Sequence, residues 1–205
     1  MNATDDDHRE RMRALQAEQR EKVASKPIRA RGLLIVYTGP GKGKSTAAFG
    51  LAMRAAGHGQ RVAVVQFVKG KWKTGEQAAL RRFPEIEHII AGEGFTWDTQ
   101  DRAVDIAAAE RGWDEAVQRI ELARRDPEAL HLLVLDELNI ALRHGHLDVE
   151  RVATALAARP PKLHIVVTGR DAPDRLVALA DTVTRMEPLK HAFDAGVRAQ
   201  RGIEF

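Results

Sequence analysis

Short uninterrupted apolar runs alternate along this chain with longer stretches whose apolar positions recur at helical spacing. VAVVQF, LLVLD and HIVVTG do not alternate apolar with polar residues, the pattern of strands buried on both faces of a parallel sheet. The pattern predicts strands over Leu33–Thr38, Arg61–Phe67, Ile86–Ile90, Leu132–Asp136, Leu163–Thr168 and Thr182–Met186. Helices are predicted near Lys44–Ala56, Glu76–Phe83, Gln100–Arg125, Val149–Ala158 and Pro173–Ala180. Such alternation defines an α/β fold with a mostly parallel sheet flanked by helices on both faces. The first residues differ. Residues 1–25 read as a polar helix with a sparse apolar side of Met12, Leu15 and Val23, ended by Pro27. Such a helix buries too little to be stable alone. The expected organisation is therefore a charged helical extension over 1–26 and one α/β domain over 27–205.

Composition narrows the chemistry. A chain of 205 residues is long enough for one α/β domain with a full core. It has no cysteine, which excludes disulfides, thiolate metal sites and thiol catalysis. Formal net charge is +3, with 32 basic against 29 acidic residues, a balance that gives no electrostatic case for nucleic acid. No apolar run reaches the length of a membrane span, and the first residues lack a signal-peptide core, so a cytoplasmic protein is expected.

Ligands on such sheets bind beyond the carboxyl ends of the strands. At that edge LLIVYTGPGKGKSTAA, Leu33 to Ala48, runs from a strand through a glycine-rich loop into a helix. This is a phosphate-binding loop in its proper context. Gly39, Gly41 and Gly43 let the backbone curl with amides toward phosphate oxygens, Lys44 adds a cation, and Ser45 or Thr46 can offer a hydroxyl to magnesium. The helix N-terminus adds positive potential. Thr38 stands where the usual pattern has its first glycine.

Other segments of that edge carry further candidates. LLVLDEL ends a strand in Asp136 and Glu137, either of which could face the loop and hold magnesium, or cap the next helix. VKGKWKTGE places Lys69, Lys71 and Lys73 around Trp72, an anion-binding loop or a solvated basic turn. GEGFTWDTQ puts Phe95 and Trp97 two apart in a chain poor in aromatics, open to a flat apolar ligand or to core packing. Arg170 and Asp171 follow the fifth strand, where phosphates can be sensed. The tail holds His191, Asp194, Arg198 and Arg201 without a spacing that demands chemistry.

Taken together these loops resemble one family, the P-loop type ATP:corrinoid adenosyltransferases of the bacterial cobalamin pathway. The resemblance is carried by TGPGKGKSTAA, RAAGHG, RVAVVQFVKGKW, GFTWDTQDR, LDELN, TGRDAP and LADTVTRMEPLKHAFDAGVRAQRGIEF, in order from about Arg31 to Phe205. Pro40 and Ser45 stand where the family commonly has Asn and Thr, which preserves the cradle and the hydroxyl. The resemblance implies a RecA-like fold, usually as a homodimer. It also implies transfer of the 5′-deoxyadenosyl group of ATP to the Co(I) centre of a reduced corrinoid, with release of triphosphate, in adenosylcobalamin synthesis or salvage. In that family the triphosphate lies reversed in the loop relative to ordinary NTPases.

Residue by residue, the resemblance implies ATP binding by Thr38, Gly39, Pro40, Gly41, Lys42, Gly43, Lys44, Ser45, Thr46 and Arg54. It implies Mg2+ or Mn2+ at Ser45, Asp136 and Glu137, catalytic roles for Lys44 and Glu137, and corrinoid contact by Phe95 and Trp97. Those aromatics would wall the lower face of the corrin ring and keep a lower axial ligand off Co(II). With no flavin motif, iron–sulfur ligand or cysteine, the electron would come from a separate reductase, a flavoprotein. Residues 1–25 are expected to fold over the corrinoid site. Two rival readings are a P-loop hydrolase or kinase cleaving the terminal phosphate, and a nucleotide-dependent module binding nucleic acid through Lys69–Lys73 and the tail arginines.

Overall fold

The computed structural model describes residues 3–26, 31–68, 75–91 and 101–204. The chain divides into two compact units, Met1–Ala30 and Arg31–Phe205. In the first, α1 (Ala3–Ala24) is a polar helix, and Met12, Leu15 and Val23 are exposed on it. The ion pairs Arg9–Asp6 and Lys22–Glu18 lie along its own surface. No helix among the described residues is long and apolar enough to cross a membrane.

In the second unit strands and helices alternate. The order is β1 (Leu34–Thr38), α2 (Lys44–Gly57), β2 (Val62–Gln66), α3 (Gly75–Leu80), β3 (Ile86–Ile90), α4 (Arg102–Arg125) and β4 (Leu132–Asp136). Then come α5 (Leu138–Arg143), α6 (Val149–Ala157), β5 (His164–Thr168), α7 (Asp174–Leu179) and β6 (Thr182–Arg185), with a short 3-10 turn at Phe193–Ala195. The predicted strands agree with these to within one residue at either end. The short helix α5 was not predicted; six residues directly after a strand show too little periodicity to be recognised.

The strands form one six-stranded sheet in the order β3-β2-β4-β5-β1-β6, and every pairing is parallel. Side-chain alternation sends one set of strand residues to each face. Val62, Val64, Leu132, Val134 and Val166 pack with Ala48, Phe49 and Ala52 of α2 and with Leu80 of α3. Leu34, Val36, Ala63, Val65, Leu133, Leu135, Ile165 and Val167 pack against Trp113, Ala116 and Ile120 of α4, and against α5, α6 and α7. Coverage on both faces holds for the inner strands. It does not hold for β6, whose residues Thr182–Arg185 are all exposed. TVTR has too little apolar surface to bury, and β6 is an edge strand that gains its place through the ladder to β1.

This strand order sets the geometry of the site. β5 lies between β1, which leads into the phosphate loop, and β4, which ends in the paired acids. Residues at the carboxyl end of β5 therefore stand between loop and acids.

Candidate active site

The phosphate loop turns on two left-handed glycines, Gly39 (φ 95°) and Gly43 (φ 101°), conformations that L side chains rarely adopt. Gly43 also caps the N-terminus of α2. Gly41 serves close approach instead. A Cβ there would meet the carbonyl of Met186 at 2.8 Å, and its own N–H donates to Met186 O at 2.7 Å. The expectation that the Gly41 amide points at phosphate is thereby corrected: the chain just beyond β6 takes that amide and braces the loop. Thr38, in the place of the usual glycine, is buried, and its Oγ1 accepts from the Ala172 amide at 3.0 Å. That contact ties the loop's entry to the segment after β5.

Lys44 is buried at 7 % exposure, and its Nζ donates to Gly39 O at 3.0 Å and to Gly41 O. Burial lowers its pKa, the nearby Glu137 carboxylate raises it, and Arg170 lowers it again. Both partners are neutral carbonyls, so the ammonium has no opposite charge in direct contact through these bonds. Lys42, by contrast, is exposed and pairs with Glu204 near the C-terminus. No pattern in the sequence marks Glu204 for that contact. Pro40 and Thr46 are exposed on the loop and the first turn of α2. Arg54 lies in the last turn of α2, ten residues beyond Lys44 and so about 15 Å along the helix axis. The structure does not bring it to the loop.

Asp136, at the end of β4, is 1 % exposed and heavily hydrogen-bonded. Its Oδ1 accepts from Thr168 Oγ1 at 2.8 Å, its Oδ2 from Gln66 Nε2 at 3.1 Å, and the Ser45 hydroxyl also bonds to it. Burial raises its pKa and these three donors oppose the rise. Glu76, at the start of α3, raises it further, although in the sequence that residue marks only a helix start. Glu137 follows in a left-handed conformation (φ 61°) at the N-cap position of α5, yet its side chain makes no capping bond. Its backbone N–H donates to Thr168 Oγ1 at 2.9 Å. Burial, then the Asp136 charge, push its carboxyl up to about 7 against the pull of Lys44 and Arg170. The capping alternative for Glu137 is thus set aside: the carboxyl lies within electrostatic reach of Lys44.

Thr168 is the residue that sequence reasoning missed. It both donates to Asp136 and accepts from Glu137, one step beyond the paired Leu135 and Val167. Its motif, TG at the end of β5, is visible in the sequence; its partners are not. Beyond it Gly169 (φ 127°) passes so close that a Cβ would meet Asn139 Cβ at 2.8 Å and Glu137 Oε2 at 3.2 Å. Arg170 reaches both Lys44 and Glu137 electrostatically. Asp171, itself left-handed (φ 53°), pairs with Arg143 of α5 at 2.7 Å. Lys69, Lys71, Trp72, Lys73, Phe95 and Trp97 lie outside the described residues. His191 is engaged locally, its Nδ1 accepting from the Phe193 amide at 3.1 Å.

A parallel sheet, a glycine loop closing on a buried lysine, and a strand-end acid bonded to the loop's hydroxyl are the features of an α/β fold consistent with a RecA-like P-loop domain. The profile of the family described as ATP:corrinoid adenosyltransferase BtuR/CobO/CobP matches residues 30–205. A corrinoid adenosyltransferase of Pseudomonas aeruginosa is 52% identical over 202 residues, 98% of this chain and 97% of that protein. One from Escherichia coli K12 is 43% identical, over 96% of this chain and 98% of its own length. The corrinoid adenosyltransferase CobA of Salmonella typhimurium is likewise 43% identical over 96% of this chain. The chain belongs to the ATP:corrinoid adenosyltransferase family.

Proposed function

We propose that this protein transfers the 5′-deoxyadenosyl group of ATP to the Co(I) centre of a reduced corrinoid. The Co(I) electron pair forms the bond to C5′, the C5′–oxygen bond breaks, and triphosphate leaves with that bond's electrons. The observation that carries the reading is an intact phosphate loop, closed on buried Lys44, inside a chain matched from residue 30 to 205 by this family.

Co(I) is a strong enough nucleophile that no side chain has to activate it by removing a proton. The protein's work is placement and charge. Holding C5′ in line with cobalt can supply about 7–11 kcal/mol in favourable cases. Lys44 and Arg170, within electrostatic reach of each other, are assigned to offset the charge that develops on the departing triphosphate, together with the N-terminus of α2. Phe95 and Trp97 are assigned to the apolar wall of the corrinoid pocket.

A magnesium ion fits the residues present. Ser45, Asp136 and Glu137 are oxygen donors, and the buried Gln66 Oε1 beside Asp136 has no hydrogen-bond partner. Among the described residues no group of three or more His, Cys, Asp or Glu could hold a metal. Magnesium usually takes one or two protein carboxylates and fills the rest of its shell with phosphate oxygens and water. When bound, it would supply positive charge to the triphosphate. In keeping with the family resemblance, the reducing electron is assigned to a separate flavoprotein and the working unit to a homodimer.

Anaerobic incubation with MgATP and chemically reduced cob(I)alamin tests the reading. Loss of the Co(I) absorbance, a light-sensitive alkylcobalamin and one triphosphate per turnover are expected. An inert corrinoid with release of orthophosphate would make the protein a P-loop hydrolase instead.

A further inference from the structure

Gln66 is the last residue of β2, and the parallel register sets it directly beside Asp136. Both project from the α2 face of the sheet, in the alternation that carries Val62 and Val64 into the core beneath them. Its Nε2 donates to Asp136 Oδ2 at 3.1 Å. The other end of the amide, Oε1, is buried without a partner. Turning the amide over would set a carbonyl against a carboxylate, so the free end is the acceptor. Buried polar side chains in native proteins are nearly always paired, and an orphan acceptor beside a binding site points to a donor that arrives with the ligand. Of the three such atoms among the described residues (Gln66 Oε1, His88 Nε2 and Asn139 Oδ1), the Gln66 oxygen is the one whose side chain bonds to Asp136.

Resting on the divalent-dependent nucleotide binding proposed above, we infer that Gln66 is a positioning residue for the cation–nucleotide complex. Its Oε1 accepts a hydrogen bond from a water of the cation's hydration shell, and this acceptor, rather than the bond from Nε2 to Asp136, carries the role. Magnesium dehydrates reluctantly and keeps several waters, each a donor in need of an acceptor.

Two variants separate this role from simple support of Asp136. Gln66→Met keeps the length and removes both hydrogen-bonding ends. Gln66→Glu keeps an acceptor but loses the donor to Asp136. The measurement is ATP binding by calorimetry across a Mg2+ titration at pH 8, repeated with Mn2+ by electron paramagnetic resonance. For Gln66→Met the Mg2+ concentration giving half-maximal ATP binding should rise about tenfold or more, with metal-free ATP affinity unchanged. Gln66→Glu should keep a midpoint at or below that of the wild type. An unchanged midpoint in Gln66→Met, or an equal rise in both variants, overturns the inference. If Gln66→Met does not fold, a raised midpoint in Gln66→Glu overturns it alone. Wild-type ATP binding indifferent to both cations would instead remove the divalent reading on which it rests.

Discussion

The hydroxyl of Thr168 donates to Asp136 Oδ1 at 2.8 Å while accepting the Glu137 amide at 2.9 Å. One side chain on β5 thus bonds the Asp136 carboxylate and the Glu137 backbone, and Ser45, also bonded to Asp136, joins them to the phosphate loop. The strand between loop and acids is a structural member of the site.

Thr168→Val should destabilise the protein, because it keeps the shape and strips a donor from a fully buried carboxylate. The expected loss is about 1–3 kcal/mol. Thr168→Ser, which keeps the hydroxyl, should lose less. Urea denaturation followed by circular dichroism checks the order; a Thr168→Val variant as stable as the wild type would show that the hydroxyl contributes nothing.

Glu137 should make the nucleotide-free protein less stable as pH rises. Its folded pKa of about 7 stands above the ordinary 4.5, so between those values the folded chain keeps a proton that the unfolded chain has released. Stability from this group therefore declines from about pH 4.5 and is fully lost above about pH 7. Glu137→Gln should lack that decline, so its advantage over the wild type should widen from pH 5 to pH 8 in unfolding free energy. A constant difference would remove the assignment. MgATP binding should show the opposite trend in the wild type, strengthening as the carboxylate charges.

At the other end of the sheet His164 should give the reverse dependence. Its Nδ1 accepts from the Leu33 amide at 3.1 Å, which requires the neutral ring. Burial, with Arg159 and His131 nearby, lowers its pKa below 6.5. The unfolded chain then binds the proton first, so this contribution is present above about pH 6.5 and is lost as pH falls below it. His164→Asn, which can offer an uncharged acceptor, should flatten the acid limb of a plot of Tm against pH.

Phe95→Ala with Trp97→Ala should slow adenosylation started from Co(II) and an electron donor far more than adenosylation of chemically supplied Co(I). A tenfold or greater gap between the two assays corresponds to about 1.4 kcal/mol on the reduction step. Equal losses in both assays would show a general defect in corrinoid binding.

Much of the fold could be read from local spacing, because apolar runs, helical periods and a glycine-rich turn depend on residues within a few positions of one another. The phosphate loop, the strand-end acids Asp136 and Glu137, and the alternation of strands and helices are of that kind. The six-residue α5 escaped notice because so short a helix has little pattern, and the exposure of β6 because edge position is not encoded locally.

What the sequence by itself determined was the set of elements and the chemistry available at their ends. Only the tertiary structure decided which ends meet. Inserting β5 between β1 and β4 brings Thr168 to Asp136 from 32 residues away, and the β2–β4 register brings Gln66 to it from 70. The chain beyond β6 supplies the Met186 carbonyl that takes the Gly41 amide. Such contacts follow from strand order and register, which are settled by the packing of the whole sheet against its helices and leave no trace in the spacing of neighbouring residues.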